Sequence, residues 1–199
     1  MSRYYSSILN VLSPSFNNTY SLAFDGVDDY LDCGDVTTLS NATTFTYSGW
    51  YKQTTLDVIS YMFGSYIDVS NRLIAYTWSS GLMYFQIEKT ASNFYAGFDY
   101  STVVTASQWF HLAVVYDGSG ATNADKVKIY IDGVLMTLSF IGAFPSSTPL
   151  GTNITTIGKV DDAAIVPAVH PTVLIKSRRV IPFFLFLTII VLPLMCDCY

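Results

Sequence analysis

The stretch SLAFDGVDDYLDCG, Ser21 to Gly34, combines a strand-like start with a cluster of turn residues. Its first four residues are mostly apolar and alternate as a β-strand does. Five aspartates then follow between Asp25 and Asp35, with glycines among them. Such a segment could bind a cation, carry catalytic carboxylates or form turns. The surrounding sequence is needed to distinguish these roles.

Strand-length runs separated by turn signals continue from this stretch to about residue 159. The strongest hairpin signal is Asp132-Gly133, which lies between KVKIYID and VLMTLSF. The run WFHLAVVY, Trp109 to Tyr116, is apolar at both alternating positions, which is typical of a central strand. No convincing amphipathic helix interrupts these runs. The sequence therefore predicts an all-β fold, an antiparallel two-sheet jelly-roll sandwich.

The composition fits one globular domain and argues against several functions. The 199 residues are 51% hydrophobic and 13% charged, which is too apolar for a disordered chain. The net charge is -5 and no basic patch precedes Lys176, so we expect no nucleic-acid partner. The cysteines are Cys33, Cys196 and Cys198, an odd number whose last two are adjacent to Asp197. This arrangement predicts neither a disulfide framework nor a zinc site.

The chain divides into three zones: an N-terminal arm (1–19), a domain (20–159) and an apolar tail (160–199). The arm has no continuous apolar stretch of a secretory signal, so we expect display outside a cell or on a virion by another route. In the tail, residues 180–195 are nearly all apolar, but a spanning helix needs about 20 residues. A tail anchor with membrane contact is thus less favoured than out-of-frame sequence. A further alternative is that Thr172–Ile175 supplies a closing strand.

Five segments in order carry a family resemblance. They are SLAFDGVDDYLDCG, FTYSGWYK, SQWFHLAVVYDGSG, VKIYIDGVLM and TTIGK. Their order and spacing resemble those of laminin G-like jelly-roll domains in the concanavalin A-like lectin/glucanase superfamily. That family ends in a closing strand with an Asp-Glu pair, whereas VDDAAIV, Val160 to Val166, comes early and is only loosely similar. We therefore expect an atypical or truncated C-terminus.

The resemblance implies a structural Ca²⁺ site at the acidic stretch. Asp25 and Asp28 match the family's positions best, and Asp161 or Asp162 could substitute for the ligand from the closing strand. Carboxylate oxygens are ligands that Ca²⁺ prefers. The alternative is that the aspartates only form turns, with their side chains accepting hydrogen bonds from nearby backbone N–H groups.

Catalytic residues are not expected. Glucanases on this fold place carboxylates on one strand as E-x-D-x-x-E, so that acid and nucleophile flank the glycosidic bond. This chain has a single glutamate, Glu88, with no acidic residue at the matching offsets. We expect His111 to be a structural residue within a sheet and Cys33 to be a small buried apolar residue. The sequence therefore predicts that the protein is not an enzyme.

Aromatic residues between 72 and 102 are the candidates for ligand binding, because aromatic faces stack on the CH groups of sugar rings. These residues are Trp78, Tyr84, Tyr95 and Tyr100. Trp50 and Trp109 instead match core positions of the resembled family. The alternative is that the four candidates line the second sheet or are ordinary surface aromatics.

The function that the sequence favours is a non-catalytic module for carbohydrate binding or adhesion. Its expected partner is a glycan or cell-surface glycoconjugate, and one context is a virion or phage structural protein. The alternative is a glycan-active enzyme, or a fragment of one, because this fold hosts lectins, adhesion modules, enzymes and structural proteins.

Overall fold

The computed structural model describes residues 21–26, 29–152, 154–159 and 173–176. These ranges form two antiparallel β-sheets, with one short helix at Asn123–Lys126. The strands are β1 (Ser21–Ala23), β2 (Leu31–Asp32), β3 (Thr44–Gln53), β4 (Ser60–Asp68), β5 (Asn71–Trp78), β6 (Leu82–Lys89), β7 (Ser92–Asp99), β8 (Trp109–Asp117), β9 (Val127–Ile131), β10 (Val134–Leu135), β11 (Ser139–Ile141), β12 (Ile154–Ile157) and β13 (Val173–Lys176).

The strand order confirms the predicted jelly-roll sandwich. One sheet has six strands in the order β1-β13-β3-β8-β9-β10, and the other has seven in the order β11-β7-β6-β5-β4-β12-β2. The predicted hairpin turn at Asp132-Gly133 lies between β9 and β10, and both residues have the positive φ that this turn needs. β8 is a central strand of its sheet, as its apolar sequence predicts.

Period-two alternation places the core between the two sheets. On β3, Phe45, Tyr47 and Tyr51 are each at most 3% exposed, and they face the seven-stranded sheet. On β8, every second residue from Phe110 to Tyr116 is buried in the same cluster. The core is therefore built largely from aromatic rings that both sheets contribute.

Two tryptophans expected in the core lie outside it, which corrects the sequence prediction. Trp50 is 45% exposed and packs on His111, with ring centroids 5.3 Å apart. Trp109 is only partly buried and pairs with Lys52 in the register. Both tryptophans take the outward positions of their strands, because the alternation turns Tyr51 inward on β3 and Phe110 inward on β8.

One strand comes from the segment that the sequence analysis assigned to the tail. β13 lies between β1 and β3 and pairs with both, so the six-stranded sheet uses residues beyond 159. The arm at 1–19 and the apolar run at 180–195 lie outside the described residues. Within the described ranges, no helix is long and apolar enough to cross a membrane.

A β-bulge in β4 ties the two sheets together. The register of β4 against β5 shifts between Tyr61 and Phe63, which takes Met62 out of the regular pairing. The hydroxyls of Tyr47 and Tyr51 both donate to the buried Met62 carbonyl, at 3.0 and 3.1 Å. Gly49 leaves room for this, since a Cβ there would lie 3.0 Å from the Tyr51 ring. One carbonyl of the seven-stranded sheet thus accepts two hydrogen bonds from the six-stranded sheet.

We expect this shared acceptor to make the two tyrosines energetically coupled. Tyr47→Phe or Tyr51→Phe should each lower the free energy of unfolding by about 0.5–1.5 kcal/mol, because one hydroxyl still satisfies the carbonyl. The double variant should lose about 1–3 kcal/mol more than the sum, because a buried carbonyl then has neither tyrosine hydroxyl as a donor. Urea unfolding of the four proteins measures the coupling, with Tyr130→Phe on the outer face as a control. Additive losses would contradict the shared role of Met62.

Candidate functional site

The outer face of the seven-stranded sheet carries a band of aromatic side chains. We call it the aromatic stripe and define it by its residues, which are Tyr61, Tyr76, Trp78, Tyr84 and Tyr95. The stripe crosses four neighbouring strands, from β4 through β5 and β6 to β7. It therefore contains three of the four predicted binding residues, on adjacent strands.

Ring contacts connect the stripe without a break. The ring centroids are 6.0 Å apart for Tyr61 and Tyr76, and 5.7 Å apart for Tyr76 and Tyr84. Tyr95 extends the row from Tyr84 at 6.1 Å, edge to face. Trp78 branches from Tyr76 at 6.2 Å, also edge to face. These separations lie in the range at which aromatic pairs attract each other, so the rings hold each other in place.

Tyr61 and Tyr76 were missed by the sequence analysis. Both are buried at 8–9% exposure, whereas Trp78 is 44% exposed, and Tyr84 and Tyr95 are partly exposed. The two missed tyrosines therefore support the rings that face solvent. Tyr76 was detectable, because it lies two residues before Trp78 on a strand and so shares its face.

A glycine makes space for the centre of the stripe. Gly97 is the register partner of Tyr84, and the Tyr84 ring lies over it. A Cβ added at this glycine would come within 2.5 Å of Cδ1 of the ring. Any side chain at position 97 would displace Tyr84, so the flat placement of this ring depends on the glycine.

Tyr100 does not belong to the stripe, which corrects its choice as a binding candidate. It follows β7 in a short 3₁₀ turn, Tyr100–Thr102, and is fully buried. Its hydroxyl donates to the carbonyl of Leu56 at 2.9 Å. Burial raises the pKa of Tyr100 to about 12. The side chain is part of the core and offers no ring face to a ligand.

The hydroxyls of Tyr76 and Tyr95 have raised pKa values and stay protonated at neutral pH. Burial raises the pKa of Tyr76 well above its usual value, and the neighbouring Tyr95, Tyr61 and Tyr84 raise it further. Burial also raises the pKa of Tyr95, with Glu88 adding to the effect. These two hydroxyls can therefore donate as well as accept hydrogen bonds.

Polar groups lie beside the rings on the same face. Arg72 and Glu88 are register partners, and Arg72 Nε lies 2.6 Å from Glu88 Oε2 in a mostly buried ion pair. Gln86 Nε2 donates to Asn93 Oδ1 at 2.7 Å. Gln86 is two residues from Tyr84 on β6 and pairs with Tyr95 in the register. The stripe therefore has a pair of amides directly beside it.

The acidic stretch uses some of its carboxylates for turns. Asp29 Oδ2 accepts a hydrogen bond from the Asp25 backbone N–H at 3.0 Å, and Asp32 Oδ1 accepts one from Gly34 at 2.7 Å. In the described parts of the chain, no group of three His, Cys, Asp or Glu side chains could hold a metal ion. Asp28, Asp161 and Asp162 lie outside those parts. Calcium binding by Asp25 and Asp28 stays a prediction.

His111 and Cys33 have structural surroundings. The His111 backbone N–H donates to Asp132 Oδ1 at 2.8 Å, and its ring packs on Trp50. Cys33 is partly buried against the core, and burial raises the pKa of its thiol, which disfavours the nucleophilic thiolate.

Comparison with known proteins identifies the family. The two sheets define a jelly-roll sandwich, a fold that serves many functions. A laminin G-type family model, described as concanavalin A-like lectin/glucanases superfamily, matches residues 25–165, which is more than half of the chain. The chain belongs to this family, and the resemblance found in the sequence is confirmed. Comparison with curated protein sequences gave no significant match.

Solved structures share the fold at low sequence identity. Domains LG4-5 of the mouse laminin alpha1 chain match with a TM-score of 0.56 and 11% identity, over 80% of this chain and 43% of that one. The receptor-binding domain of botulinum neurotoxin mosaic serotype C/D matches with a TM-score of 0.55 and 14% identity, over 78% and 37%. The chain therefore spans less than half of either protein.

A third match is to a separate domain of an enzyme. Domain 4 of AbnA, an extracellular GH43 arabinanase from Geobacillus stearothermophilus, matches with a TM-score of 0.52 and 19% identity, over 78% of this chain and 69% of that one. Its structure was solved in complex with arabinotriose. At these identities the matches show the fold alone.

The calcium hypothesis predicts a stabilising effect of the ion. A ligand that binds only the native state raises the melting temperature by mass action. We expect millimolar Ca²⁺ to raise it and Mg²⁺ to raise it much less, because Mg²⁺ requires a stricter octahedral shell. Asp25→Ala should abolish the response, while Asp117→Ala on β8 of the six-stranded sheet should keep it. Identical thermal melts in EDTA and in Ca²⁺ would exclude the site.

Proposed function

We propose that this protein is a non-catalytic carbohydrate-binding module that attaches to a glycan or a cell-surface glycoconjugate through the aromatic stripe. The observation that carries the proposal is the position of Trp78, Tyr84 and Tyr95. The sequence predicts these residues for sugar stacking, and in the structure they lie on one face and are connected through Tyr76.

The stripe has the two properties that sugar binding requires. Trp78 exposes 44% of its surface, and burial of such a ring against the CH groups of a sugar removes apolar area from water. The hydroxyls of Tyr84 and Tyr95 and the exposed Asn93 amide supply donors and acceptors for sugar hydroxyls. The rings are held by mutual contacts before any ligand arrives, which lowers the entropy cost of binding.

The comparisons support a role at glycans or receptors. One related structure is an arabinanase domain in complex with arabinotriose, and another is described as a receptor-binding domain. Adhesion follows from the same proposal. A module that binds surface glycans attaches the protein or particle to which it belongs to that surface.

Replacement of Trp78 should weaken carbohydrate binding specifically. Loss of a stacked indole ring should cost about 1.5–3 kcal/mol, or about 10- to 100-fold in Kd. Trp50→Ala is the matched control, since Trp50 is 45% exposed on the opposite sheet. A glycan array with the full chain identifies a ligand, and calorimetry then compares the two variants. Equal effects of both substitutions, or no glycan bound at all, would contradict the proposed site.

A glycan-active enzyme is the second candidate, because the related arabinanase acts on a polysaccharide. The position of Glu88 favours binding without hydrolysis, since its carboxylate is engaged with Arg72 at 2.6 Å. A glycosidase needs two carboxyl groups placed across the scissile bond. We expect no reducing sugar to be released from arabinan, β-glucan or galactan. Hydrolysis that disappears when one aspartate is changed to asparagine would overturn the non-catalytic proposal.

A further inference from the structure

We infer that the aromatic stripe selects neutral glycan chains and discriminates against chains that carry carboxylates, an inference that rests on the proposed function. It follows from the charges on the face rather than from the rings. A site that recognises a sialic or uronic acid needs an available cation or a cluster of backbone N–H groups, because a buried unpaired carboxylate is costly.

The four strands of the stripe carry two basic residues, and each already interacts with another group of the protein. Within residues 60–99 the basic residues are Arg72 and Lys89. Arg72 forms the ion pair with Glu88 described above. Lys89 Nζ donates to the carbonyl and the hydroxyl oxygen of Ser147, at 3.2 and 2.8 Å. Neither charge is arranged to receive a carboxylate from a ligand.

Other described cations lie elsewhere. Lys52, Lys128 and Lys176 belong to β3, β9 and β13 of the opposite sheet. Lys126 Nζ donates to the Phe144 carbonyl at 2.7 Å. Lys159 lies over the Tyr30 ring, 4.7 Å from its centroid. None of these residues is on the strands of the stripe.

The acidic groups on the same strands add repulsion. Asp68, Glu88 and Asp99 lie on β4, β6 and β7, so the acids outnumber the two bases there. Glu88 also acts on the rings, because its charge raises the pKa of Tyr95. Arg72 lowers the pKa of the same ring, so the ion pair as a whole offers no net positive charge to a ligand carboxylate over Tyr95. The uncharged Gln86–Asn93 amides suit hydroxyl groups instead.

The Arg72–Glu88 pair is thus the element that sets the preference. Glu88 neutralises the cation that could otherwise bind an acidic sugar. Glu88→Gln retains the shape and the acceptor oxygen but removes the charge. This substitution should make Arg72 attractive to a ligand carboxylate while leaving the rings in place.

The test uses matched neutral and acidic ligands with the full chain. The pairs are galactan oligosaccharides against oligogalacturonates of equal length, and lactose against sialyllactose, measured by isothermal titration calorimetry. We expect the neutral member of the bound pair to bind at least about tenfold more tightly. Its Kd should be insensitive to salt, since no ligand charge is screened. Glu88→Gln should shift the ratio of the two affinities toward the acidic member by threefold or more.

Asp117→Asn is the control, because it changes the net charge equally on the opposite sheet and should leave the ratio unchanged. Equal or tighter binding of the acidic member, lost in Trp78→Ala, would overturn the neutral preference and leave the proposed function standing. Absence of binding to both members and to the glycan array would instead overturn the proposed function itself. If Glu88→Gln does not fold, the salt dependence of the acidic member decides the question: added salt should leave its binding unchanged or tighten it, and weaker binding in salt would show attraction to a cation and overturn the neutral preference.

Discussion

The hydrogen bonds to the Met62 carbonyl depend on a single extra residue in β4, and that residue also determines which side chain of β4 joins the aromatic stripe. Without a bulge, Tyr61 and Phe63 would face the same way, because side chains two residues apart share a side of a strand. The register shift instead leaves Phe63 in the core and Tyr61 in the outer aromatic cluster. The same shift frees the carbonyl that Tyr47 and Tyr51 share. Core closure and the outer stripe are therefore two results of one local irregularity.

Much of the fold could be predicted from the sequence because its signals are local. The Asp132-Gly133 turn and the alternating runs specify hairpins, and a chain of hairpins with apolar faces forms a sandwich. The choice of Trp78, Tyr84 and Tyr95 rested on their position in a hairpin region, and the structure brings them onto one face. Adjacent strands of a meander align such residues without any long-range information.

The errors have equally specific causes. The sequence predicts Tyr100 as a binding residue, but the chain turns after Asp99 and directs the ring inward, which a strand pattern does not reveal. Trp50 was placed in the core on family resemblance. The alternation of TFTYSGWYKQ places Phe45, Tyr47 and Tyr51 on one face and Trp50 with polar residues on the other, so period two would have given the right answer. The alternation of the sequence does not predict the position of Tyr61. Tyr61 and Phe63 are two residues apart, and only the bulge places them on opposite faces of the sheet.

The position of β13 has a consequence for the time at which the protein can fold during synthesis. β3 has β8 on one side and β13 on the other, and β13 is made more than a hundred residues after β3. At about 5–20 residues per second, the ribosome would leave that edge of β3 unpaired for on the order of ten seconds. An open strand edge is a template for pairing with other chains. Nascent chains on neighbouring ribosomes would therefore present the same edge to each other, and chaperone binding during this interval would protect the yield of folded protein.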